Sequence, residues 1–181
     1  SDIPGTLVVN EENIMEHELV SGIAFSRDEA KITLLKVPDV PGVAAKVFGP
    51  LAEAAINVDM IVQNISPDEK STDITFTVGR ADLDRAIAAI EKADLEYQKL
   101  LTAANVAKVS VVGVGMKSHS GVADKMFKTL AAKGINIQVI STSEIKISIL
   151  IAEDYVELAV RALHAAYGLE TASKVNAEVA A

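Results

Sequence analysis

Apolar and polar positions along the chain alternate between two periods, one typical of strands and one typical of helices. Segments rich in valine and isoleucine alternate at every second residue, whereas alanine-rich segments repeat larger apolar residues at helical spacing. The pattern predicts strands at 31–37, 57–65, 72–78, 107–114, 136–141 and 145–151. It predicts helices at 43–55, 82–93, 121–133 and 154–167. The order β-α-β-β-α therefore occurs twice.

One stretch of this pattern is repeated almost residue by residue. Residues 42–57 and 121–136 align without a gap at an offset of 79, and nine of the sixteen positions are identical. A repeat of this length indicates two copies of one small domain. Each copy needs a fourth strand to complete a split βαβ, ferredoxin-like unit, and the candidates are 18–26 and 97–101. Gly134, just past the second repeated helix, is a natural C-cap.

The expected fold class is α+β, with two ferredoxin-like βαββαβ units whose antiparallel sheets carry helices on one face. The bare face or edge of such a sheet must be polar or covered. Strands 31–37 and 145–151 carry few charges. We therefore expect the two units to pair with each other and with a second chain, intertwined in a dimer.

Composition narrows the functional classes. The chain has 181 residues, a net charge of −8, and no two adjacent Lys or Arg residues, which disfavours nucleic-acid binding. It has no uncharged apolar run of about 18 residues, so no membrane span is expected. The absence of cysteine removes disulfides and thiolate metal sites and fits a reducing cytosol. The first twenty residues do not have the pattern of a signal peptide.

Signals for catalysis and cofactor binding are weak. Gly113 and Gly115 would need a third glycine where Ser118 stands, so a tight turn is favoured over a dinucleotide loop. The histidines are scattered and lack metal-binding spacing: His17, His119 and His164. His119 lies in a loop and is either an ordinary loop residue or a ligand contact. We expect no catalytic residue, no metal site and no cofactor.

The loop before the first repeated helix is the best candidate for a binding site. Gly42 precedes a helix N-terminus, where free amides and the helix dipole favour an anion such as a carboxylate. Glycine lets a ligand approach the backbone closely. Asp39 places a negative charge nearby, which suits an ammonium group, so the loop suits the two ends of an amino acid. A well-capped helix with a solvated aspartate explains the same residues equally well.

The two copies differ at polar positions while the apolar frame is kept. The differences at the common offset are Asp39 against Ser118, Asp59 against Gln138, and Gln63 against Thr142. Two binding sites of different selectivity, or one functional site and one that has lost its function, would produce this pattern. Neutral drift of surface residues is also compatible with it.

Several strings resemble the regulatory region of aspartate kinase. They are DVPGVAAKVFGPLAEAAINVDMIVQN at 39–64, TDITFT at 72–77, GVGMKSHSGV at 113–122 and INIQVISTSEI at 135–145. The resemblance runs from about residue 18 to 168 and implies two ACT domains. The first, 31–103, would be inserted into the second, formed by 18–30 plus 104–170.

The ends of the chain carry further expectations. Residues 1–17 form a leader, in which 3–7 (IPGTL) look like the end of the kinase catalytic domain. Met15-Glu16 is similar to the start of a separately translated small subunit of that enzyme. Residues 171–181 are small and polar, and we expect a flexible tail there.

The resemblance implies a regulatory role without kinase activity, because the family's N-terminal Lys-Phe-Gly-Gly nucleotide and aspartate machinery is absent from this chain. The implied role is cytoplasmic sensing of threonine, lysine or both, for feedback inhibition of aspartate-family amino-acid biosynthesis. The implied partners are the free amino acid, a second copy, and the aspartate kinase catalytic domain or alpha subunit. The alternative is a ligand-independent dimerisation module that docks on the catalytic domain.

The resemblance also assigns residues to two effector sites. The threonine-type site includes the loop residues Asp39, Gly42, Val43 and Ala44. The side chain of Gln63 would contact the bound amino acid, and the backbone of Asn136 and Ile137 would close the site. The second, lysine-type site takes Asp59, Met116, Ser118, Gly121, Val122 and Ser143.

Overall fold

The computed structural model describes residues 20–67, 70–114, 116 and 120–169. The strands are β1 Val20–Pro38, β2 Val58–Ile65, β3 Ser71–Val78, β4 Lys99–Gly113, β5 Ile137–Thr142 and β6 Lys146–Ala152. The helices are α1 Val43–Glu53, α2 Leu83–Lys92, α3 Ser120–Ala132 and α4 Val156–Ala166. Short 3-10 turns, Arg80–Asp82 and Glu153–Tyr155, lead into α2 and α4. The predicted α+β class and order of elements are confirmed, while the leader and tail lie outside the described residues.

Two long strands join the halves of the molecule. β1 has 19 residues and β4 has 15, and they pair antiparallel at the centre of a six-stranded sheet of order β2-β3-β1-β4-β6-β5. The prediction of separate strands at 18–26 and 31–37, and at 97–101 and 107–114, was therefore wrong. Each pair is one continuous strand. The expected domain boundaries at 30/31 and 103/104 fall inside these strands, and the division into domains stays a prediction.

The charged run Arg27-Asp28-Glu29 reads as a strand break in the sequence but continues β1. Register shifts on both sides of Glu29 absorb the irregularity as bulges. Glu29 is only 5% exposed, and its carboxylate pairs with the ammonium of Lys108 on β4 at 2.7 Å. A buried carboxylate is tolerated because this cation compensates it.

Helices cover one face of each half of the sheet. In the first unit, α1 and α2 pack on β1 and β3, and α1 buries Val43, Val47 and Leu51 there. In the second unit, α3 and α4 pack on β4 and β6 around Met126 and Leu163. We use "first unit" and "second unit" for these two halves.

The helix-free faces of the two units pack against each other. Strand alternation directs Ile32 and Leu34 of β1 towards the helices, so Lys31 and Thr33 lie on the opposite face. A third apolar cluster joins the helix-free faces and consists of Met60, Val106, Val139 and Leu150. The edge strands β2 and β5 are in contact. The expectation that the units pair with each other is confirmed, whereas pairing with a second chain stays a prediction.

Candidate functional site

The loop before α1 forms an open helix N-terminus. Gly42 is the N-cap residue in the left-handed region, with φ of 89°, and no side chain caps the helix. A side chain there would be strained by this backbone conformation, although no atom lies within 4 Å of the position of a Cβ. The amides of the first turn therefore lack side-chain acceptors. Asp39, Gly42 and Ala44 are exposed on the outer surface, whereas Val43 is buried in the core.

Backbone contacts hold this loop against the neighbouring turn. The amide of Asp39 donates to the carbonyl of Lys70 at 3.0 Å, and that of Val43 donates to the carbonyl of Val40 at 3.2 Å. A cavity of about 240 Å³ opens beside the helix start, lined by Pro38, Val40, Val43, Lys46, Asp94, Leu95 and Glu96. It shares only Val43 with the predicted threonine-type set. The rest of that loop faces open solvent in one protomer.

The other members of the threonine-type set lie on the two edge strands. Gln63 is exposed on β2, which ends at the same end of the sheet as the loop after β1. Asn136 is exposed just before β5. Ile137 begins β5 and is among the residues that line a partly open cavity, which includes none of the loop residues. Within one protomer the structure therefore does not gather this set into one cavity, and the assignments stay predictions.

The second set divides into two places. Met116 and Val122 are buried in the core of the second unit, and Gly121 is exposed in the first turn of α3. Ser143 lies in the turn between β5 and β6, where its amide donates to the carbonyl of Lys146 at 2.8 Å. Ser118 lies outside the described residues, as does His119. Asp59 is far along the chain from these residues, on β2 of the first unit.

Asp59 takes part in an ion network that the sequence did not reveal. Lys108 contacts both Asp59 and Glu29 at 2.7 Å. Burial is the largest single effect and raises the pKa of Asp59, but hydrogen bonds from Lys108 and the Met60 amide, together with attraction to Lys108 and Lys146, outweigh it and lower the pKa of this carboxyl. Burial likewise opposes the charge on Lys108, but hydrogen bonds to Asp59 and Glu29 raise the pKa of its ammonium. The only sequence signal was the difference between Asp59 and Gln138, since nothing marked Lys108 as a partner.

Two classes of function find no support in the described residues. Within residues 20–67, 70–114, 116 and 120–169, no group of three or more His, Asp or Glu side chains is arranged to hold a metal ion. None of the helices in that part of the chain is long and apolar enough to cross a membrane.

Two regions of the chain match family profiles, and both profiles describe the ACT domain. The matched residues are 31–95 and 109–167. An aspartate kinase from Stutzerimonas stutzeri strain A1501 is 53% identical over 178 residues, which cover 97% of this chain and 43% of that protein. An aspartokinase from Helicobacter pylori strain 26695 is 51% identical over 170 residues, covering 92% and 42%. The chain thus spans less than half the length of these curated relatives.

Solved structures of shorter chains are matched over nearly their whole length. The ligand-free regulatory subunit of aspartate kinase from Thermus thermophilus aligns with a TM-score of 0.76 and 43% identity, covering 82% of this chain and 98% of that one. A chain from the crystal structure of aspartokinase alpha and beta subunits aligns with a TM-score of 0.76 and 48% identity, covering 82% and 99%.

Proposed function

Since the chain belongs to the aspartate kinase family and corresponds to its ACT-domain regulatory region, we propose that it senses threonine, lysine or both. The effector's binding would inhibit aspartate kinase in the cytoplasm and so limit aspartate-family amino-acid synthesis. The catalytic step belongs to a region that this chain does not contain. Its partners would be the free amino acid, a second copy, and the catalytic domain or alpha subunit.

The observation that carries this proposal is the uncapped start of α1. No side chain caps the helix, and the amide of Val43 already donates to Val40, so the amides of Ala44 and Ala45 are the ones available to a carboxylate. Asp39 is exposed three residues earlier and would pair with the ammonium group of the same amino acid. The hydrogen bond from the Asp39 amide to Lys70 holds the loop in place.

A second protein chain has to complete the site, because the outer side of this loop is exposed to solvent. Asn136 is exposed before an edge strand, and an edge strand offers unpaired backbone groups to a neighbouring chain. We therefore propose that Asn136 and Ile137 of a second copy close the site over the bound amino acid. Under this arrangement the effector joins two chains, so it biases the assembly between two states.

Such coupling needs only a modest difference in affinity between the two states. Allosteric coupling energies are typically about 1–3 kcal/mol, which is roughly 5- to 150-fold in affinity. Two effectors that prefer the same state would inhibit in concert. We propose that the second set, around Asp59 or around Met116 and Ser143, serves lysine in this way.

Titration calorimetry of the chain with threonine and with lysine tests the threonine-type site. Asp39→Ala should weaken threonine binding at least about tenfold, because the ammonium loses its charge-assisted partner. Asp84→Ala is the matched control, since Asp84 is an exposed carboxylate in the first turn of α2. Undiminished threonine binding by the Asp39→Ala variant would defeat the site assignment.

The alternative function is a dimerisation module that docks on the catalytic domain without a ligand. It predicts that the melting temperature is the same with and without millimolar threonine or lysine. A sensor predicts a rise with ligand concentration, because a ligand that binds only the folded state stabilises it. Protein concentration must be held constant in this comparison, since melting of an oligomer depends on it.

A further inference from the structure

Two lysine side chains, at equivalent positions in the two units, each reach from one unit to the edge strand of the other. Lys108 on β4 reaches Asp59 on the edge strand of the first unit, with Nζ 2.7 Å from Oδ2. Lys31 on β1 reaches Gln138 on the edge strand of the second unit, with Nζ 2.6 Å from Oε1. Asp59 and Gln138 occupy the same position in the two repeats. The two lysine contacts are therefore equivalent, except that the partner of Lys108 is a charged carboxylate and the partner of Lys31 is a neutral amide.

This difference leaves the charges on the inner faces unevenly matched. Two carboxylates, Glu29 and Asp59, converge on Lys108. Among the described residues, the ammonium of Lys31 contacts the neutral amide oxygen of Gln138. Partial burial lowers the pKa of Lys31, because burial disfavours the charged ammonium. An ammonium in such a place is stabilised by an anion.

Lys31 lines a cavity of about 320 Å³ between the helix-free faces. No acidic residue is among the described residues that line it. Thr33 and Thr75 share one hydrogen bond at 2.9 Å, so one of their hydroxyl hydrogens remains free to donate. The amide side chain of Asn64 adds a further donor, and Val62 and Val139 supply apolar wall. Next to Lys31 in the sheet, the fully buried hydroxyl of Thr77 has no partner among the described residues.

We propose that this cavity binds a small aliphatic carboxylate that carries no ammonium group. The carboxylate would accept hydrogen bonds from Lys31 and from a threonine hydroxyl, while the aliphatic part of the ligand packs on Val62 and Val139. An amino acid fits less well, because its ammonium would lie beside Lys31 with no carboxylate in the wall to accept it. The ligand class therefore differs from the zwitterion proposed for the loop at Gly42, and the two proposals are tested with different ligands and different variants.

A matched pair of probes separates these chemistries. α-Ketoisovalerate and valine share one carbon skeleton and differ in the group beside the carboxylate. The full chain should show a rise in melting temperature with millimolar α-ketoisovalerate and a much smaller rise with valine. Methyl NMR signals of Val62 and Val139 should shift with the keto acid. Equal responses to the two probes, or shifts confined to other methyl groups, would overturn the proposal.

Two variants test the role of Lys31 directly. Lys31→Met should weaken binding of the keto acid at least about tenfold, which is the loss of one charge-assisted hydrogen bond. Gln138→Glu should do the same with the lysine still present, because it supplies an internal carboxylate that competes with the ligand. Lys133→Met, at an exposed lysine after α3, should bind as the unmodified chain does. Unchanged binding by Gln138→Glu would refute the proposal even if Lys31→Met fails to fold.

Discussion

The two repeated helices, α1 and α3, end in the same backbone motif. One residue of this motif has a left-handed backbone conformation, and it is a different amino acid in the two copies. Ala55 has φ of 53° after α1, and Gly134 has φ of 68° after α3. After α1, Ile56 donates to Leu51 at 2.9 Å and Ala55 to Ala52 at 3.0 Å, which is a Schellman motif. The second copy makes the equivalent bonds from residues 135 and 134. We predict that Ala55→Gly stabilises the protein and that Gly134→Ala destabilises it.

The magnitude follows from backbone strain alone. Ala55 is exposed, and no atom lies within 4 Å of a Cβ built on Gly134, so packing does not change in either variant. A left-handed alanine costs about 1–2 kcal/mol, and the greater freedom of glycine in the unfolded chain offsets about 0.4–1 kcal/mol of that. The net effect is about 0.5–1 kcal/mol in each direction. For a chain of this size it shifts the melting temperature by about 1–4 °C.

Urea unfolding followed by far-ultraviolet circular dichroism at fixed protein concentration measures both variants. Ala52→Gly is the matched control, because Ala52 is exposed inside α1 and glycine there should cost about 1 kcal/mol. The same alanine-to-glycine change should thus destabilise the protein at position 52 and stabilise it at position 55. A lower urea midpoint for Ala55→Gly, or a neutral Gly134→Ala, would refute the argument from left-handed strain.

Two further predictions concern titrating groups. The pKa of Asp59 is lowered in the folded protein, so its contribution to stability is present above about pH 4 and is lost as the pH falls through the folded value. Asp59→Asn should therefore lower the urea midpoint at pH 7 by more than at pH 3. Tyr167 donates from its hydroxyl to the carbonyl of Val122 at 2.7 Å, and Tyr167→Phe should cost about 1 kcal/mol. Burial raises the pKa of Tyr167 to about 12, so its contribution is full below about pH 10 and declines as the pH rises towards the folded value.

Each of these has a clear contrary result. An Asp59→Asn deficit that is the same at both pH values would show that the ion pair with Lys108 does not stabilise the fold. If the unmodified chain and Tyr167→Phe lost stability in parallel between pH 10 and pH 12, the buried phenol would not be the titrating group.

Much of the fold follows from local signals. Apolar residues at helical spacing predicted a helix over 43–55, and the structure has α1 at Val43–Glu53 with Val43, Val47 and Leu51 buried. The repeat predicted two equivalent units. The extent of β1 was not predicted, because Arg27-Asp28-Glu29 is polar and only long-range pairing with β4 makes it a strand. Pairing across such sequence separation leaves no periodic signal in either segment.

In the candidate site, too, some residues could be recognised from sequence and others could not. Gly42 was singled out from sequence because glycine before a helix start lets a ligand approach the backbone closely, and the structure has Gly42 as the N-cap residue at φ of 89°. Lys108 was not recognisable, because its role depends on Asp59 lying opposite it after the helix-free faces pack together. The exposure of the loop around Gly42 also depends on tertiary packing.

The sequence by itself determined the two-fold repeat, the α+β class and the helix start that suits a carboxylate, since each depends on residues close together in the chain. Only the tertiary structure decided that β1 and β4 run through both units, that Lys108 gathers two carboxylates, and that Lys31 is left with an amide. The physical reason is that these contacts join residues 49 to 107 positions apart. Their energy depends on burial and charge pairing, which exist only once the faces have met.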